Sequence, residues 1–374
     1  CVAQQEGGAL LKRVPHLDLV FGTHNIHKLP EIVEQVQTLE NRPVETAFYR
    51  DPFYMEDPEG TTEVQGGKAF VTIMQGCNKV CSFCIVPHVR GREVSRPSEK
   101  ILREVEALAD RGVVEVMLLG QNVNSYGKLT PGELSFAELL GRVNAIDGIE
   151  RIRFTTSHPQ DLSPELIEAF AELEKLCEHL HLPVQSGSDS VLSRMRRGYT
   201  RAEYLDRIER LRARRPEVAL STDIIVGFPG ETDDEFGATL ELLEQVGYDE
   251  IYSFTYSPRP QTVSAKLYDD DIPDDTKRER LSRVQDLQRE ISLRKNRERI
   301  GGIEEILVEG RSKLKNGQIM GRTRSNRIVN AFGPESLTGA RVAARITGAT
   351  ATSLIGELAR GFTAADLHPE GESA

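Results

Sequence analysis

The chain has 374 residues, 39% hydrophobic and 28% charged with no Trp, which is the balance of a globular protein of two or three domains. No apolar run reaches the length of a membrane span and no secretory signal is visible, so membrane-spanning and secreted classes are set aside and the cytoplasm fits best. The formal net charge of −11 argues against nucleic acid for the chain as a whole, but residues 299–366 hold ten Lys/Arg against six Asp/Glu, a local basic footprint on an acidic body.

In chain order, Cys1 rather than Met opens the sequence, which reads as a fragment or a misassigned start. Leu10, Leu11 and Val14 predict a short helix face, residues 17–22 a strand ending at Gly22, and Leu29-Pro30 the start of a helix through Ile32, Val33 and Val36. Residues 41–67 carry Pro43, Pro52, Pro58, Gly60, Gly66 and Gly67 among many acids and predict a linker.

From Lys68 onward the pattern becomes regular. Strands are predicted over 69–74, 114–119, 150–155, 179–184, 218–227 and 250–256, alternating with helices over 98–111, 135–147, 163–175, 201–214 and 233–246. Pro97-Ser98, Ser163-Pro164 and Thr232-Asp233-Asp234-Glu235 are helix start signals. Strand and helix repeated six times predict a parallel sheet, open or curled into a partial barrel that falls short of the eight units of a closed one.

The first of these strands runs into Gly76-Cys77-Asn78-Lys79-Val80-Cys81-Ser82-Phe83-Cys84. Three thiolates on one loop hold three irons of a four-iron cube and leave the fourth open to an outside ligand. Zinc is the alternative, but it would want a fourth Cys or His, and His88 in its Pro-His-Val setting suits a structural position better. An odd total of five cysteines argues against a disulfide framework, and Cys177 reads as a buried structural thiol.

In parallel α/β folds the chemistry gathers at the carboxyl ends of the strands. Here those ends carry Gln121-Asn122, Ser157-His158, Gln185-Ser186, Gly227 to Glu231 and Ser257-Pro258-Arg259, with Asp223 inside the fifth strand. Residues 277–299 predict a charged helix with one apolar stripe, Leu281, Val284, Leu287 and Ile291, which reads as a solvated connector. The tail has short β-like runs at 305–308, 327–329 and 341–346 punctuated by Gly, which predict a small β-barrel of the kind that commonly binds RNA; the residues after Phe362 read as disordered.

Cys77-x3-Cys81-x2-Cys84 on the first loop of a six-unit parallel barrel resembles the radical S-adenosylmethionine superfamily. Gly76-Cys77-Asn78-Lys79, Ile85-Val86-Pro87 and Arg90-Gly91 narrow the resemblance to the methylthiotransferases. The stretches 22–25, 118–124, 155–159, 181–188 and 226–232 look like the tRNA-modifying branch, and the tail is similar to a TRAM domain. The resemblance implies a truncated N-terminal α/β methylthiotransferase domain plus linker (1–66), a partial (β/α)6 barrel with its connecting helix (67–298), a TRAM-like RNA-binding β-barrel (299–366) and a disordered tail (367–374).

The resemblance further implies a [4Fe–4S] cluster on Cys77, Cys81 and Cys84 that binds and cleaves S-adenosylmethionine. The resulting radical acts at C2 of N6-isopentenyladenosine beside the anticodon, where a methylthio group is added. Related branches act on threonylcarbamoyladenosine or on a ribosomal protein, and a noncatalytic RNA-binding metalloprotein is the reading from another class. The family's second cluster uses three N-terminal cysteines, of which Cys1 matches the third, so the expectation is that this second cluster is not held properly here. Implied partners are tRNA and a low-potential electron donor such as flavodoxin or ferredoxin, with the chain a monomer.

Among rim residues, Ser157, Gln185, Ser186 and Asp223 are the expected S-adenosylmethionine contacts, with Asp223 alternatively a buried acid pairing with Arg197. Arg197 reaches the cofactor carboxylate or the RNA on this reading, Phe83 packs beside the cluster or the adenine, and His158 packs at its strand end. Arg322, Arg324 and Arg327 are the tail's candidates for RNA contact, against a plain solvated surface.

Overall fold

The computed structural model describes residues 1–39, 41–48, 62–313 and 317–359. The expected disordered tail at 367–374, and Pro52, Pro58 and Gly60 of the expected linker, lie outside the described residues. Six parallel strands run in sequence order: Lys68–Thr72, Glu115–Leu119, Arg151–Phe154, His179–His181, Ala219–Val226 and Glu250–Thr255. The first three pair in register, as do the last three. Between third and fourth the ladder narrows to a bridge at Ile152 and Leu176, and the result is an open, curled sheet.

Helices Ser98–Asp110, Phe136–Asn144, Pro164–Glu172, Arg201–Arg214 and Asp233–Val246 cover its outer face. Their starts follow from the sequence: Ser135, Thr200 and Thr232 each form a capping box with the Glu three residues on. One large apolar core joins strand residues such as Val71, Val116, Leu118, Ile152 and Phe154 to helix residues such as Ile101, Leu139 and Tyr204. Strand alternation then turns Lys68, Glu115, Arg151 and Arg153 to the inside of the curl.

Those inward charges sit at the amino ends of the strands, where the tail meets them. The tail strands Ile303–Arg311, Gln318–Thr323, Ile328–Phe332, Arg341–Ala349 and Leu354–Leu358 close into a barrel around Ile306, Val308, Ile319, Val329, Ile346 and Leu354. Lys68 pairs with Glu309 at 2.7 Å, and Arg151 with Glu305 at 2.6 Å. Arg153 donates to the Arg324 and Thr323 carbonyls at 2.9 and 2.7 Å. The tail barrel therefore caps the amino ends of the strands, opposite the cysteine loop. Its arginines Arg324 and Arg327 are drawn to Glu178 and Asp249 at the barrel floor.

Three corrections follow. Helix Asp274–Arg297 is no solvated connector, since Lys277, Arg280, Val284, Gln288, Ile291 and Asn296 are buried on the sixth strand and the tail. The expected linker contains paired strands at Val44–Glu45 and Val64–Gln65. The first barrel strand stops at Thr72, and Met74–Gln75 pairs separately with Val94–Ser95. At the amino end, helix Leu29–Leu39 forms as expected, the expected strand over 17–22 is reduced to Val20–Phe21, and residues 2–13 make two short helices, the second, Ala9–Arg13, carrying Leu10 and Leu11.

Candidate active site at the carboxyl ends of the strands

The cysteine loop is fixed by backbone geometry before any ligand is considered. Gly76 has φ +74°, and a Cβ there would lie 2.0 Å from the Arg92 carbonyl oxygen, so only Gly fits. Its N–H donates to Gln121 Oε1 at 2.6 Å, tying the loop to the second strand's end. Lys79 Nζ reaches Asp161 at 2.8 Å, and Asp161 also accepts from Asn122 at 2.8 Å, which binds the loop to the third strand's end. Ser82 donates its N–H to the Met195 carbonyl at 2.9 Å and its hydroxyl to the Arg194 carbonyl at 2.8 Å. Phe83 packs on Val191, Met195, Phe228 and Tyr256, an apolar wall beside the thiols.

Cys77, Cys81 and Cys84 line one cavity of about 490 Å³. Among the described residues no three His, Cys, Asp or Glu side chains converge on a point able to hold a single metal ion. Thiols spread around one cavity suit a polynuclear cluster, each sulfur on its own iron, better than one tetrahedral zinc. Burial pushes the Cys77 thiol up to about 11 and raises Cys84 as well. Such thiols are held protonated until iron displaces the proton.

Donors are already aimed at the sulfurs. The Lys79 N–H meets Cys77 Sγ at 3.4 Å, and Arg197 Nη1 meets Cys81 Sγ at 3.2 Å. His158 Nε2 lies 3.9 Å from the same sulfur. Because His158 Nδ1 accepts from the Gln160 N–H at 3.3 Å, the ring proton belongs on Nε2, facing Cys81. Burial and the neighbouring Arg197 and Lys79 charges push His158 down to about 2, so it is neutral at working pH.

The other expected residues divide. Ser157 is buried with its hydroxyl lacking a partner among the described residues, the mark of a site awaiting a ligand. Gln185 is buried at φ +79°, and Thr156 stands at φ +68°, so two strand ends on this rim hold left-handed backbone. Asp223 pairs with His181 at 3.5 Å, not with Arg197. The Ser186 hydroxyl is fully buried against Thr239 at 3.3 Å and the Ser188 N–H at 3.2 Å, where it braces the turn after Gln185. Arg197 is engaged by Cys81, the Pro183 carbonyl at 2.6 Å and Tyr199 Oη at 3.0 Å.

The tail arginines lie far from this mouth. Arg324 forks onto Glu178 at 2.9 Å, Arg327 pairs with Asp249, and Arg322 lies 3.3 Å from Glu309. Cys1 is exposed, with Sγ accepting from Arg90 Nε at 3.2 Å, and it lines a cavity of about 850 Å³ between the amino-terminal unit and the first two strands. Cys177 is buried as read. Sequence reading assigned no role to Lys79 or Asp161, although Lys79 stood inside the quoted motif.

Residues 71–243 match the Radical SAM superfamily, and 297–359 match the TRAM domain. The tRNA-2-methylthio-N(6)-dimethylallyladenosine synthase of Geobacter metallireducens is 56% identical over 96% of this chain and 81% of its own length. The chain belongs to this synthase family. The synthases of Geotalea uraniireducens and Syntrophotalea carbinolica are 53% and 52% identical, again over 96% of this chain and 81% of theirs. Among solved structures, the radical SAM coproporphyrinogen III oxidase of Escherichia coli is similar at a TM-score of 0.43 and 14% identity, covering 74% of this chain and 66% of that one.

Proposed function

We infer that this family member is a tRNA methylthiotransferase, which adds a methylthio group to C2 of N6-dimethylallyladenosine and uses a [4Fe–4S] cluster and S-adenosylmethionine. The observation that carries the reading is the three-thiol cavity at the strand mouth, in a chain 56% identical to a named synthase over nearly all its length. When bound, the cluster and S-adenosylmethionine supply the one-electron chemistry that an aromatic C–H without useful acidity demands.

The chain's own residues prepare that place. Cys77, Cys81 and Cys84 hold the cluster on our reading, and the Lys79 N–H and Arg197 stabilise two of the thiolates. Ser157 offers a buried, unengaged hydroxyl, and Gln185 and Asp223 present polar groups on the same rim; we propose these three as the S-adenosylmethionine contacts. Phe83, Phe228 and Tyr256 keep water from one side of the thiols. The substrate is tRNA, and we propose the domain limits 1–66, 67–298 and 299–366.

No helix among the described residues is long and apolar enough to cross a membrane. We place the chain in the cytoplasm, where tRNA is found, acting as a monomer with a flavodoxin- or ferredoxin-type donor. Nucleoside mass spectrometry of tRNA from a strain lacking this gene tests the assignment. The expected result is loss of the 2-methylthio mark with N6-dimethylallyladenosine retained, and restoration on complementation. Persistence of the mark refutes it.

A further inference from the structure

Arg197 is a buried cation with an unusual set of partners. It is only 5% exposed, yet no Asp or Glu lies within ion-pair distance among the described residues. Its three nitrogens are all engaged: Nε donates to Tyr199 Oη at 3.0 Å, Nη2 to the Pro183 carbonyl at 2.6 Å, and Nη1 to Cys81 Sγ at 3.2 Å. A guanidinium buried this deeply is expensive unless an anion compensates it. The one group in contact that can carry a full negative charge, other than the phenol of Tyr199, is the Cys81 sulfur.

The backbone enforces the arrangement. Arg196 and Gly198 on either side stand at φ +56° and +71°, and a Cβ on Gly198 would lie 2.2 Å from Gln160 Nε2. Two left-handed residues flanking one arginine fix where its side chain starts. The three thiols are also not equivalent. Cys77 accepts from the neutral N–H of Lys79, whereas Cys81 alone of the three accepts from a cation.

We propose that Arg197 is a positioning residue whose buried charge on the Cys81 sulfur raises the reduction potential of the cluster on Cys77, Cys81 and Cys84. This rests on the cluster reading above. Reduction adds negative charge to a cluster, and a fixed positive donor on one of its sulfurs favours the more negative state. The arrangement makes reduction easier at Cys81's end of the cavity.

The test uses the full chain reconstituted anaerobically with iron and sulfide. Iron content is measured first, then EPR-monitored redox titration with and without S-adenosylmethionine, whose addition perturbs only a cluster with an open iron. A parent protein that takes up no iron sinks the cluster reading itself. Given an iron-loaded parent, Arg197→Met is expected to lower the reduced-to-oxidised ratio about tenfold at a fixed potential, about 59 mV for a one-electron couple. Arg197→Lys, whose single ammonium cannot serve all three acceptors, falls between.

A ratio within about twofold of the parent in iron-loaded Arg197→Met overturns the proposal and leaves the cluster reading standing. Should Arg197→Met fail to load iron, Arg197→Lys and Tyr199→Phe carry the test. Tyr199→Phe removes the Nε acceptor and keeps the charge, so a parent-like potential there with a lowered one in Arg197→Lys supports the proposal, while parent-like potentials in both overturn it.

Discussion

Arg151→Met probes the floor of the barrel. Arg151 is fully buried at the start of the third strand. It meets Glu305 Oε1 through Nη2 at 2.6 Å and Nε at 3.1 Å, and it donates to the Arg322 carbonyl at 2.9 Å and the Glu305 carbonyl at 3.3 Å. Removing one partner of a buried ion pair costs about 3–5 kcal/mol, chiefly through the charge left behind. Here Arg341 still reaches Glu305 Oε2 at 3.2 Å, and Arg153 still holds Glu115 at 2.9 Å, so the lower end of that range is expected. Methionine keeps most of the apolar stem, which separates lost charge from lost packing. Native-state amide exchange across Ile303–Arg311 reads the seam directly and does not need two-state unfolding of the whole chain. Adding Glu305→Leu should recover about 2 kcal/mol, because an apolar pair is tolerated where a lone carboxylate is not. A loss below about 1 kcal/mol in Arg151→Met, the worth of a surface pair, would refute the view that buried charge welds the tail to the barrel.

Gly76→Ala should displace the cysteine loop, since its Cβ would lie 2.0 Å from the Arg92 oxygen; iron bound per chain is expected to fall by more than about half while circular dichroism is retained. Ser157→Ala deletes a buried hydroxyl with no protein partner, so stability should hold or rise slightly while S-adenosylmethionine binding, measured calorimetrically, weakens by about 1–3 kcal/mol; unchanged binding would remove Ser157 from the site. The seam should also loosen in acid. Burial works to raise Glu178 and Glu305, but Arg324 and Arg215 on the first, and Arg151 and Arg341 on the second, hold both below the ordinary value of 4.5. A depressed folded value means the contribution is complete above about pH 4.5 and is lost as pH falls through the folded values. Amide exchange at the tail strands should accelerate over that window, and Glu178→Gln should flatten the response.

The six-unit sheet was legible because apolar runs such as 114–119 and 218–227 alternate with helices whose start signals are local in sequence, as at Thr232 and Glu235. The cysteine trio was legible for the same reason: its spacing lies within eight residues. What escaped is long in range. Arg197 lies 116 residues from Cys81, and Arg324 lies 146 from Glu178, and charge alone carries no address. Strands of two residues, such as Val44–Glu45, are too short to show alternation, and Gln318–Thr323 is interrupted by Gly321 where the close approach of Leu307 excludes a side chain. The charged connector was misread because Lys277, Arg280 and Asn296 occupy buried positions that a polar pattern assigns to solvent.

The placement of the tail constrains how any RNA it holds meets the thiols. The eight-residue fifth strand sets the height from floor to mouth at about 26 Å, at ~3.3 Å per residue. The floor is filled by buried Arg151, Arg153 and Glu115, so nothing passes up through the middle from the tail. The route left is along the side. There the sixth strand pairs only with the fifth among the described residues, and its inward Tyr252 and Phe254 stand 45% and 54% exposed. Aromatic faces left open to solvent are of the kind a stacked base covers. The tail thus works as a foundation that fixes the amino ends of the strands. The cavity of Cys77, Cys81 and Cys84 lies at the other end of the strands, at the mouth of the curl.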